Sequence, residues 1–149
     1  MADLITLQEY KTAEGITQPK EDARLNVLIP SISQLVKTYC GNSFVDFYST
    51  NKTETFTLEW GTHIVQLTES PVNAIVSVQE ATSYGGTLTT LTTGAQEYAL
   101  NKATDCIYRT TTGGYKNWPV GIETVKVVYT AGYSAVPADL KLAVLDLIT

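Results

Sequence analysis

The chain has 149 residues, an apolar share of 44% and a formal charge of −5, from 10 Lys+Arg against 15 Asp+Glu. That length suits one main core, since a chain of this size buries about 68–70% of the surface its unfolded form exposes, and the composition excludes a disordered polar chain. The basic residues stand singly from Lys11 to Lys141, so the clustered cations that grip phosphate are missing.

The opening Met1-Ala2-Asp3-Leu4 lacks the basic and apolar regions of a secretory signal. No stretch reaches the ~18 apolar residues of a membrane span. Cys40 and Cys106 have no CxxC or disulfide-framework spacing, and both are expected as small buried thiols in a reducing compartment.

In chain order, a short first helix is expected over Leu4–Lys11, stopped by Gly15. A second follows over Lys20–Cys40. Its apolar positions Leu25, Leu28, Ile29, Ile32, Leu35, Val36 and Tyr39 step by three and four, which predicts one buried face. Gln18-Pro19 suits the entry, and Gly41-Asn42 the stop. Pro30 removes a backbone donor and crowds the carbonyl four residues back, so a kink or break is expected there.

The middle alternates with the period of strands. Phe56, Leu58 and Trp60 fall on one face; Val65 and Leu67, then Ala74, Val76 and Val78, then Val125, Val127 and Tyr129 repeat the pattern. Shorter candidates are Phe44–Tyr48, Leu88–Leu91, Tyr98–Leu100 and Cys106–Arg109. Turn signals separate them at Asn51-Lys52, Gly61-Thr62, Ser70-Pro71, Gly85-Gly86, Gly94 and Gly113-Gly114. Many short strands predict an antiparallel sandwich or small barrel. A last helix starts at Pro137. Leu140, Ala143, Val144 and Leu147 make one apolar face, and Leu142, Leu145 and Ile148 widen it to most of the circumference. Such a helix is buried on more than one side, by a partner or by further chain beyond Thr149.

The fold class is therefore α+β. Amphipathic helices at both ends, within residues 1–42 and 134–149, pack together around an antiparallel β-rich insert, 43–133.

Catalytic chemistry finds little to use. His63 is the only histidine, and it has no nucleophile motif beside it. One His and two unpaired Cys do not make a zinc site, and no acidic run around a glycine makes a calcium loop. Carboxylates such as Glu54 with Glu59, or Glu69 with Glu80, are expected to face solvent rather than a cleft. The glycine stretches around Gly85-Gly86 and Gly113-Gly114 lack the order of phosphate loops and suit hairpin turns. Trp60, Trp118 and Tyr115 leave open a carbohydrate-binding sandwich. Trp60 is expected in the core by its alternation, and Trp118, in the loop Gly114–Pro119, at a contact with a neighbour.

Three stretches resemble the head–tail adaptor (connector) proteins of tailed double-stranded DNA phages. Asp3-Leu4-Ile5-Thr6-Leu7-Gln8-Glu9-Tyr10-Lys11 looks like that family's opening segment. Leu35–Phe44, with its aromatic-Cys-Gly step, looks like its helix end. Val127-Val128-Tyr129-Thr130-Ala131-Gly132-Tyr133, followed by Val136–Ala143, looks like its return from the last strand into a helix. The match spans the whole length and is best at the ends. Pro30, and a chain that stops early in its last helix, depart from the pattern.

The resemblance implies a structural virion protein at the head–tail junction, assembled in the host cytoplasm, with neither catalysis nor cofactor. It implies a homo-oligomeric ring, twelve-fold, under the portal protein, meeting a tail or stopper (neck) protein and passing DNA without specific binding. On this reading Leu140, Val144, Leu147, Ile148, Tyr115 and Trp118 are candidates for subunit or portal contacts. Glu9, Glu14, Glu21 and Asp22 are candidates for the channel wall, because acid concentrates near the amino-terminal helices. No membrane is involved.

Overall fold

The computed structural model describes residues 2–149. Three helices, α1 (Leu7–Glu14), α2 (Asp22–Cys40) and α3 (Ala138–Ile148), bracket eight strands. These are β1 (Lys52–Leu58), β2 (Ile64–Gln66), β3 (Val72–Glu80), β4 (Thr89–Thr90), β5 (Tyr98–Asn101), β6 (Cys106–Thr111), β7 (Gly114–Tyr115) and β8 (Gly121–Ala131). The fold is α+β.

Helix α1 starts later than its apolar residues suggest. Thr6 and Glu9 form a capping box, each side chain bonding the other's backbone N–H, and this fixes the start at Leu7. Leu4 and Ile5 precede the helix and are buried against α2, where Leu4 N–H donates to the Ser33 hydroxyl at 3.0 Å. Helix α2 continues through Pro30, so of the kink or break expected there the break does not occur. Pro30 lies on the solvent side, so the Asn26 carbonyl it deprives of a donor is not shut away from water. Gly41 closes α2 in the left-handed conformation at φ +65°. Before α3, Pro137 is the capping residue rather than the first helical one.

Two apolar clusters result. Leu4, Ile5, Tyr10, Leu25, Ile29, Val36, Val144 and Ile148 form the helical one, so the two chain ends do pack together. The other draws Val78, Val125, Val127 and Tyr129 from a sheet ordered β1-β8-β3-β4, and Val65 and Ile107 from a sheet ordered β2-β6-β5. Inner faces of two antiparallel sheets sharing one core make a small sandwich. The hairpin at Thr112-Gly113 joins β6 to β7 by a two-residue loop.

Four expectations fail locally. Residues 44–48 form turns, not a strand, with Phe44 at φ +59°. The alternation of Ala74, Val76 and Val78 is broken: the register with β8 shifts between Ile75 and Ser77, leaving Val76 exposed while Ile75 and Val78 pack inward. Trp60 falls beyond the end of β1 and is 70% exposed, because alternation ceases to bind a residue once the strand has ended. Cys40, at the last turn of α2, is exposed, whereas Cys106 is buried.

A polar seam binds the helices to the sandwich. Buried Glu69 accepts from Ser43 N–H at 2.8 Å and from its hydroxyl at 2.9 Å. Asn42 Nδ2 donates to Ser70 O at 2.7 Å. Ala131 N–H donates to Phe47 O, and Tyr133 N–H to Phe44 O. Lys37, 4% exposed, donates to Ala2 O and pairs with Asp46 at 2.9 Å. A buried ammonium is tolerated only with such partners.

Candidate functional site

The apolar positions of α2 divide into two stripes. Leu25, Ile29 and Val36 face the helical core. Leu35 and Tyr39, which the spacing assigned to the same buried face, point away from it and are 56% and 91% exposed. On α3 the same division holds. Val144 and Ile148 are buried within the chain, so neither is free to meet another subunit, while Leu142 and Leu147 are 61% and 54% exposed. An eleven-residue helix apolar nearly all round cannot point every side chain at one partner helix.

The outward stripes of α2 and α3 meet in a groove of about 410 Å³ lined by Leu35, Val36, Tyr39, Cys40, Leu140, Ala143 and Leu147, without one charged side chain. A second groove, past Leu140 and Cys40, continues to Phe44, Tyr133 and Pro137. Apolar side chains alone line the first of these grooves. Of the interface candidates, Leu140 and Leu147 belong to it.

The remaining two lie elsewhere. Tyr115 is exposed on β7 and stacks on His63 at 4.6 Å between ring centroids, with Tyr108 beside them. Trp118 is 1% exposed, and a contact with a neighbour is ruled out for it in this conformation. Its backbone N–H donates to Thr62 O, which draws the loop inward, and its ring packs in the sandwich core beside Arg109. Its indole Nε1 has no hydrogen-bond partner among the described residues.

The acidic candidates do not make a bare negative wall. Glu9 pairs with Lys141, Asp22 with Lys11 at 2.9 Å and Glu21 with Arg24 at 3.5 Å. The Lys141 hydrogen bond, then the Thr6 backbone, hold the Glu9 carboxyl below the usual carboxylate value. Glu14 is exposed and in no ion pair among the described residues.

Among the described residues no group of three or more His, Cys, Asp or Glu is placed to hold a metal. Nor, among those residues, is any helix long and apolar enough to cross a membrane. Trp60 lines a shallow groove with Glu59, Thr62 and Ile64, but of the three aromatic platforms considered for sugars, Trp118 is buried. Tyr39 and Leu35, both exposed in the helical groove, were missed as site residues. The signal was present as a second three-four series, Leu28, Ile32, Leu35 and Tyr39, beside the buried one.

The fold is shared with solved structures. A chain in the neck of an empty GTA particle computed with C6 symmetry superposes with a TM-score of 0.66 at 17% identity, covering 95% of this chain and 74% of that one. A chain in the neck of a native GTA particle computed with C12 symmetry gives 0.59 at 18%, covering 97% and 78%. A chain in the virion of the native gene transfer agent (GTA) particle gives 0.63 at 16%, covering 95% and 74%. No curated protein matches the chain. At such identities the likeness establishes the fold. The sequence itself matches the model of one family, described as head completion protein, over residues 3–149. The chain therefore belongs to the head completion protein family, a structural family of phage-like particles rather than a class of enzymes.

Proposed function

We propose that this chain is a head–tail adaptor subunit that closes a ring beneath the portal, passes DNA through the ring and carries a tail or stopper protein on the other side. The carrying observation is the uncharged groove between α2 and α3, apolar surface that the chain leaves uncovered. Ring closure calls for a heterologous contact, in which one patch meets a different patch of the next copy. Twelve copies is the number proposed, the symmetry in which one of the similar necks was computed. Leu140 and Leu147 serve subunit or portal contacts; Glu9, Glu14, Glu21 and Asp22 are assigned to the channel side. The ring sits at the head–tail junction of the virion and is built in the host cytoplasm.

The mechanism is geometric. Scattered cations and a formal charge of −5 favour a wall that does not hold phosphates. Negative-stain images of the purified protein, alone and mixed with a portal, test the reading. Rings that stack coaxially on the portal are expected; a monomer that ignores the portal would overturn it.

A further inference from the structure

We propose that β1 of one copy pairs with β4 of the next, so that the first sheet runs on across the subunit boundary. The inference rests on the ring reading and names one of its contacts.

The backbone bonds determine which groups are free. Ala81 N–H donates to Thr124 O at 2.8 Å, so Thr124 turns its backbone toward β3. Successive residues of an antiparallel strand turn opposite ways. Val125, Val127 and Tyr129 therefore bond toward β1, where they oppose Phe56, Glu54 and Lys52. That leaves the N–H and C=O groups of Thr53 and Thr55 directed out of the sheet, and among the described residues neither has a backbone partner on that side.

This edge is unguarded. Free edges in proteins are blunted by charge, proline, bulges or shortness. From Lys52 to Phe56 the register with β8 is regular. The exposed side chains of β1 are Thr53, Thr55 and Thr57. Its charges are occupied on the other face: Lys52 lies 3.8 Å from Glu69, and Glu54 accepts from Thr68 N–H. The uncovered stretch of β3, by contrast, is bulged twice.

The opposite edge supplies a matching strand. Leu91 N–H donates to Val78 O, so Leu91 and Thr89 face β3 and Thr90 faces outward; Leu88, one residue before β4, is assigned the outward direction by continuing the same alternation. Thr92 is already bonded to Glu97, which limits the pairing to this short reach. The order β1-β8-β3-β4 alternates in direction throughout, so β4 runs opposite to β1. A neighbour brought round by ring rotation offers its β1 antiparallel to this β4. Thr53 then opposes Thr90 of the neighbouring copy, and Thr55 opposes its Leu88, as two hydrogen-bonded pairs. Edge-to-edge pairing of this type is a common mode of recognition.

The full chain carrying both Thr53→Cys and Thr90→Cys tests the register, with the exposed native thiol removed by Cys40→Ser in the parent and in every variant, since opposed residues in such pairs sit ~5.5 Å apart at Cα, within disulfide reach. Mild oxidation should give a ladder of disulfide-linked species beyond the dimer on a non-reducing gel. Neither single variant nor the parent chain should give it. Adding Thr55→Pro should abolish the ladder while the protein melts with its parent, because the proline replaces an outward N–H. Rings in negative stain without a ladder would overturn the edge pairing and leave the ring reading standing. A Thr53→Cys chain that links only to a dimer would mean two-fold β1 pairing and would overturn it too. Neither rings nor a ladder would sink both.

Discussion

Arg109 and Glu80 bind the two sheets of the sandwich by a two-point ion pair, Nε to Oε2 at 2.9 Å and Nη2 to Oε1 at 2.7 Å. Arg109 stands on β6 and Glu80 on β3, and their side chains are 6% and 15% exposed. Arg109 Nη1 donates further to the carbonyls of Glu97 and Thr110. Removing one partner strands the other charge. Glu80→Ala should cost about 3–5 kcal/mol in urea melts. The double change Arg109→Met with Glu80→Leu should recover most of it, because no charge is then left unpaired.

Gly132 sits at φ +101° where the sandwich returns to the helices, and a Cβ there would overlap the Phe44 carbonyl group. Gly15 also has a positive φ, at +69°, but open space around it. Gly15→Ala should therefore cost only about 1 kcal/mol for the backbone. Gly132→Ala should cost more than about 2 kcal/mol, since a packed backbone must also move. Thermal melts of the two variants side by side check the order.

The stripes of α2 predict opposite outcomes. Ile29→Ala removes core and should cost about 2–5 kcal/mol. Ile32, only half-buried, should cost less. Leu35→Asp and Leu147→Asp should melt with the parent yet fail to form rings, since both side chains lie outside the core. Urea melts paired with negative-stain images separate these behaviours.

The Tyr129 hydroxyl titrates above its ordinary value near 10, first because burial disfavours the phenolate and then because Glu54 and Glu69 lie near it. A folded value above the unfolded one means that stability is full below about pH 10 and falls as pH rises through that value. Tyr129→Phe should flatten this alkaline slope in urea midpoints taken from pH 8 to 11. It should also lower stability at neutral pH, because Glu69 N–H loses the acceptor it has at 3.1 Å.

The isolated protein should not shift duplex DNA at physiological salt. An electrophoretic band with micromolar affinity and a steep salt slope would contradict the proposed channel.

Several features were legible in residue order because they are local. Gly15 and Gly41 stop their helices, Val125, Val127 and Tyr129 alternate into the core, and Gly113 turns a hairpin, each through the backbone preferences of a few neighbours. The α+β class followed from helical spacing at the ends and strand spacing between them. What faces what was decided by tertiary structure. The three-four spacing of α2 could not say which of two stripes would be buried in the helical core, so Leu35 and Tyr39 were placed on the buried face although they are exposed. A register shift against β8 exposed Val76, and the hydrogen bond from Trp118 N–H to Thr62 drew an expected loop-tip aromatic into the core. Periodicity records only that one side of an element is apolar. Which apolar side is covered depends on the neighbours that long-range packing brings, and so does the edge left open at β1.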